Sequence, residues 1–215
     1  MEGKNTVIEI IIELIKGAKR DENRIDADYG GRHYCLYNSR YLLNQVIRQY
    51  NTPWSHYYFS KAAIDLWPKI TTDKWPKKFY TDIVTCDVGS PVKIMKYKGH
   101  SNTGVEHIIQ PKGDKFRYRE VFHDEHMITV KDIIEELLSL QDLSIESATN
   151  VLDKMYKCRM TKEEDRRITL ESHRGLDLNK VINEIYRPCG IEVVPYDDLP
   201  EFLKDHESAN SATSS

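Results

Sequence analysis

A chain of 215 residues that is 40% hydrophobic and 30% charged has the balance of a globular protein, and this excludes a disordered or low-complexity chain. No apolar run reaches membrane-spanning length: the longest stretch, Val7 to Ile15, is broken by Glu9 and Glu13. The formal net charge of −3 excludes a surface coated in positive charge but leaves room for a local basic face.

In chain order, Thr6 to Lys19 reads as an amphipathic helix, with Val7, Ile11, Leu14 and Ile15 on one face. A polar stretch, Arg20 to Gly31, ends in the turn Tyr29-Gly30-Gly31. A second helix is expected from about Asn38 to Tyr50, stopped by Asn51-Thr52-Pro53. The aromatic segment Trp54 to Tyr80 carries Lys69, Lys74, Lys77 and Lys78, and its two Trp-Pro pairs, Trp67-Pro68 and Trp75-Pro76, mark turns or breaks.

Strand signals dominate from Asp82 to Met127: Ile83-Val84, Val92 to Met95, Val105 to Gln110 and Phe116 to Phe122. Pro111-Lys112-Gly113-Asp114 has the composition of a hairpin turn between the last two. Helices return at Val130 to Leu140 and at Ser144 to about Lys154, with Ser144 as N-cap. A short strand, Met155 to Met160, precedes a helix that Thr161 and Glu164 open as a capping box. A further helix covers about Asp177 to Tyr186, Ile191 to Val194 closes as a strand, and Glu207 to Ser215 is a polar tail.

The expected fold class is therefore α+β: N-terminal helices, central antiparallel strands and C-terminal helices. Residues 1–81 form a helical, aromatic and basic region, residues 82–203 an α+β region that carries the chemistry, and residues 204–215 a disordered tail. Cys35, Cys86, Cys158 and Cys189 are scattered without a CxxC pair, so neither a zinc site nor a disulfide framework is expected. MEGKNTVIEI lacks the basic-then-apolar layout of a secretory leader, and a cytoplasmic location is expected.

The segment Val121 to Ile128, VFHDEHMI, concentrates two histidines and two acids at a strand end. A carboxylate there can hold a hard divalent cation, and an imidazole can take a proton from water near neutral pH. The strand before Thr161 and the helix after it would bring Asp165 near Glu125. His123 reads as a surface residue. Val105 to Pro111 echoes the acid–His–apolar order through Glu106 and His107, and reads as a hairpin strand.

Glu125-His126-Met127-Ile128, followed by a strand and the Thr161-to-Asp165 helix start, resembles the HNH, or His-Me finger (ββα-metal), nucleases over about residues 119–168. The resemblance implies a ββα-metal element with a helical insert between its strands. It implies His126 as the general base that activates water, Glu125 and Asp165 as ligands of Mg²⁺ or Mn²⁺, and Asn150 as the residue orienting the imidazole. Thr129 stands where the family usually has proline, and Asp165 where it commonly has His or Asn.

The implied activity is metal-dependent hydrolysis of DNA phosphodiester bonds, of restriction or mobile-element type, by a chain of a size that suits pairing as a homodimer. DNA contacts are expected from Arg32, His33, Arg40, Arg48, Lys74, Lys77 and Lys78. The alternative from a different class is a non-enzymatic phage or host regulator that grips protein or nucleic acid through the aromatic segment. A PD-(D/E)xK site would need an acid that the stretch from Asp82 to Lys96 lacks.

Overall fold

The computed structural model describes residues 2–22, 39–50, 52–75, 83–97, 103–111, 113–168 and 175–204. The tail beyond Lys204, Cys35, the turn at Tyr29 to Gly31 and Pro76 of the second Trp-Pro pair lie outside them. The fold is α+β, and its contacts divide it into two units.

The first unit comprises residues 1–52 and 128–155. It is built from α1 (Glu2–Glu22), α2 (Ser39–Arg48), α4 (Val130–Ser139) and α5 (Ile145–Leu152). Each helix buries one stripe: Ile8, Ile11, Ile12 and Ile15 from α1, Leu43 and Ile47 from α2, Val130, Ile133, Ile134 and Leu137 from α4, and Ala148, Val151 and Leu152 from α5. Their three-and-four spacing is the helical period that makes these segments readable from sequence. Thr129 is the N-cap of α4: its Oγ1 accepts from the Asp132 backbone N–H at 3.1 Å and donates to Asp132 Oδ2 at 2.8 Å. Ser144 caps α5 in the same way, accepting from Ser147 N–H at 3.2 Å. Lys19 Nζ donates to the Leu140 carbonyl, 2.6 Å away at the end of α4.

The second unit, residues 53–127 and 156–215, carries the strands. A four-stranded sheet has the order β6 (Phe122–His126), β7 (Lys157–Thr161), β1 (Tyr57–Ser60) and β8 (Val193–Pro195). β6 runs antiparallel to β7, β7 parallel to β1, and β1 antiparallel to β8. Two separate antiparallel pairs accompany it: β2 (Ile83–Thr85) with β5 (Lys115–Arg117), and β3 (Val92–Lys96) with β4 (Val105–Ile109).

Three expectations change here. The Pro111-to-Asp114 turn does not close a hairpin, since β4 pairs with β3 and β5 with β2; Gly113 N–H and the Asp114 carbonyl instead bond the two ends of Cys86. The strand expected over Phe116 to Phe122 is two strands separated by a 3₁₀ turn at Tyr118–Glu120. Pro68 lies inside a helix, α3 (Lys61–Ile70), rather than at a break. Ser60 starts α3 as its N-cap, and Pro68 comes in the last turn, where one lost backbone bond does not prevent the helix from reaching Ile70.

The core of this unit is aromatic. Trp67 and Trp75 stack with centroids 4.3 Å apart, and Phe122 meets both edge-on at 5.6 and 5.5 Å. One face of the sheet points into this cluster. Its residues, by strand alternation and register, include Phe122, Asp124 and His126 on β6, Lys157 and Arg159 on β7, and Tyr57 and Phe59 on β1. The Arg159 side chain is fully buried, with its guanidinium over Trp54 (4.6 Å), Tyr57 (4.9 Å) and Phe59 (5.6 Å) and its Nε 3.3 Å from Asp124 Oδ1.

Candidate metal centre

The opposite face of the same sheet presents His123 and Glu125 on β6 beside Met160 and Cys158 on β7. α6 (Lys162–Asp165) follows β7 without a linker and folds back against β6 and β7. Thr161 ends the strand and begins the helix. Its Oγ1 accepts from Glu164 N–H at 3.2 Å, while Glu164 Oε2 accepts from Thr161 N–H at 3.0 Å, closing the expected capping box. Glu164 is 3% exposed and reaches further: the same Oε2 accepts from Ser60 Oγ, 2.6 Å away on β1. One buried carboxylate thus locks α6 to the central strand.

Alanine at Glu164 opens the box, leaving Thr161 N–H and the Ser60 hydroxyl without their acceptor while Thr161 still caps α6, an expected loss of about 2–3 kcal/mol. A urea unfolding midpoint checks this. A variant as stable as the parent would mean that the box is not closed in solution.

Locked in this way, α6 places Asp165 over the sheet. Asp165 Oδ2 stands 3.1 Å from His123 Nδ1, and Glu125 Oε2 stands 3.7 Å from His123 Nε2. One ligand atom from each of the three lies within 4.8 Å of the others. The carboxylate side chains are 12% (Glu125) and 18% (Asp165) exposed against 39% for His123, so the cluster is open on the imidazole side. Burial pushes the His123 imidazolium down, but the bond to Asp165 and the charges of Asp165, Glu125 and Asp124 outweigh it and hold its pKa above the ordinary value.

Cys158 lies across from Glu125 on β7 and its thiol is pushed well up by burial; Tyr186, within electrostatic reach of Glu125 and Asp165, is raised mainly by burial. Tyr186 comes from a helix that starts as α7 (Leu178–Lys180) and widens to a π-helix over Val181–Tyr186. The i→i+5 bond from Arg187 N–H to Ile182 O records the widening, a feature found often at functional sites, while those from Ile191 N–H to Tyr186 O and Gly190 N–H to Arg187 O close a Schellman cap. Gly190, at φ +70°, ends this helix in the left-handed conformation.

The two expected metal ligands, Glu125 and Asp165, are therefore brought together, and the histidine that joins them is His123. His126 lies on the other face of β6, directly across from Lys157, whose ammonium burial pushes down. Asn150 is exposed on α5 in the first unit, outside the cluster. Of the expected DNA contacts, Arg40 and Arg48 are exposed on α2, where Arg48 Nε donates to Asn44 Oδ1 at 2.8 Å, and Lys74 is exposed beyond α3. Arg32, His33, Lys77 and Lys78 lie outside the described residues. His107 belongs to β4, with Nε2 3.6 Å from Asp114.

One imidazole nitrogen and two carboxylates form a donor set that suits Mn²⁺ especially, and Mg²⁺ where oxygen ligands dominate. Among the described residues this is the one such group of three or more ligating side chains. No helix among them is long and apolar enough to cross a membrane. Comparison with family models, curated proteins and solved structures finds no match to this chain.

Proposed function

We propose that the protein is a metal-dependent endonuclease of the ββα-metal kind, with His123, Glu125 and Asp165 holding a Mn²⁺ or Mg²⁺ ion. The observation that carries this reading is the meeting of carboxylates from β6 and α6 at one imidazole, across a strand–strand–helix element. Bound there, the ion would supply charge neutralisation at a phosphodiester and an acidified water. Glu125 and Asp165 set the ion's position from a rigid strand and a capped helix. His123, on the open side, completes the ligand set.

Incubation of the protein with supercoiled plasmid and Mn²⁺ or Mg²⁺ should give nicked and linear DNA, and none with a chelator. His123→Ala and Asp165→Ala should each slow cutting by more than about a hundredfold, beyond the ~10–100-fold typical of residues that merely support a ligand. His126→Ala run in parallel locates the chemistry: abolished cutting in that variant alone would move it to the other face of β6, as the family resemblance implies. A protein that binds Mn²⁺ and cuts no DNA would return the cluster to a structural role.

A further inference from the structure

Beside the cluster, three cations lie on two adjoining elements. Arg119 lies in the 3₁₀ turn just before β6, Lys162 opens α6 three residues before Asp165, and Arg166 follows Asp165 as the C-cap. These pieces are tied together by backbone: Lys162 N–H donates to the Val121 carbonyl at 2.8 Å, and Tyr97 N–H, just past β3, donates to the Glu120 carbonyl at 2.9 Å.

The Arg166 guanidinium stands 5.7 Å from the centre of the buried Tyr97 ring, which gives it a shelf. Burial pushes the Lys162 ammonium down, and the charges of Arg166 and Arg119 push the same way, against Asp165 and Glu120. Lys162 therefore stands within electrostatic reach of two other cations and of the cluster's own carboxylate.

Besides Asp165, two acids share this edge. Glu120 is occupied in accepting from Arg117 N–H at 3.3 Å, and Glu163 is exposed near Tyr97. Arg167, also within electrostatic reach of Tyr97, donates to the Cys189 carbonyl at 3.0 Å. Three cations placed along a surface that starts at the cluster fit a polymer with a charge at every residue.

We propose that Arg119, Lys162 and Arg166, with Arg166 held on Tyr97, form a phosphate-binding rail that seats a nucleic-acid backbone beside the His123–Glu125–Asp165 cluster. The assignment rests on reading the cluster as a hydrolytic site and names the groups that present the strand to it. Lys162 takes the phosphate nearest the cluster, and the two arginines take its neighbours. Such contacts position the strand and read no sequence.

The test is the fluorescence anisotropy of a fluorescein-labelled DNA duplex titrated with the full chain in EDTA across a series of salt concentrations. The comparison is a variant carrying Arg119→Gln, Lys162→Gln and Arg166→Gln. The variant should bind about tenfold or more weakly. Its slope of log K against log salt should be shallower by about 2–3, near 0.9 for each phosphate that the protein no longer neutralises. Its melting temperature should still rise on adding Mn²⁺, which shows a folded chain with the cluster intact.

If the triple variant does not melt cooperatively, Arg119→Gln and Lys162→Gln singly carry the test, each expected to lower the slope by about 1. Equal affinity and slope in parent and variants, or a parent that does not bind the duplex, overturns the rail. A parent that cuts plasmid while the variant binds as tightly removes the rail and leaves the endonuclease reading standing. A parent that never cuts, beside a variant that has lost affinity, does the reverse.

Discussion

Mn²⁺ is expected to raise the stability of the parent protein, and Asp165→Ala to abolish that rise. An ion that binds only the folded chain stabilises it by about 2.7 kcal/mol at a hundredfold excess over Kd. For a chain of this length that is a rise in melting temperature of roughly 5–10 °C. The variant loses one of two carboxylates and the partner of His123 Nδ1, while the capping box next to it stays closed. Thermal melts in EDTA and in Mn²⁺ check this, and an equal rise in both proteins would place the ion elsewhere.

The same cluster sets a dependence on pH. Without metal, the protonated His123 ring bridges two carboxylates, and its raised pKa means that the bridge contributes stability. That contribution is fully present below the unfolded value of about 6.5 and is lost as pH rises through the higher folded value. Metal needs the neutral ring, so the apparent affinity for Mn²⁺ should rise over the same window. Melts in EDTA and in Mn²⁺ should thus diverge as pH increases.

Arg159→Ala is expected to cost about 3–5 kcal/mol, the range for breaking a buried ion pair by removing one partner. Asp124, 15% exposed, would be left on the aromatic face without its counter-charge, and four rings within 6.0 Å of the guanidinium would border a cavity. Replacing both partners at once, Arg159→Met with Asp124→Leu, should recover much of that loss, because two charges no longer have to be kept from water. Urea unfolding of the single and double variants measures both. A single variant within about 1 kcal/mol of the parent would mean that water reaches the guanidinium.

The helices other than α3 are the legible part of this fold, for local reasons. Ile8, Ile11, Ile12 and Ile15 repeat at the helical period, and Ser144, Thr161 and Glu164 announce their caps within four residues. The central strand Tyr57–Ser60 is not legible. It is four residues long, three of them buried, so it shows no alternation, and it runs directly into α3 inside a segment dominated by tryptophan and lysine. Its partners, β7 and β8, are about a hundred residues away or more, and nothing local records them.

The site is half legible. Glu125 and Asp165 stand out as acids at a strand end and a helix start. His123 is obscured because the strand signal stops at Phe122. Once β6 is seen to run to His126, period-two alternation puts His123 on the face of Glu125 and His126 on the other. The basic group at Arg119, Lys162 and Arg166 escapes a sequence reading because its members are spread over almost fifty residues and each alone looks like an ordinary surface charge.

The chain leaves the sheet after Met127, builds α4 and α5, and returns at Tyr156, where Met127 N–H bonds the Tyr156 carbonyl at 2.9 Å. This excursion decides when during folding the cluster can exist. The β6–β7 pairing cannot zip from a tight turn, and it must wait for a helical hairpin to return the strand ends to each other. His123 and Glu125 meet Asp165 only after that closure, so a chain in which β6 and β7 are unpaired would have no grip on divalent ions through this cluster.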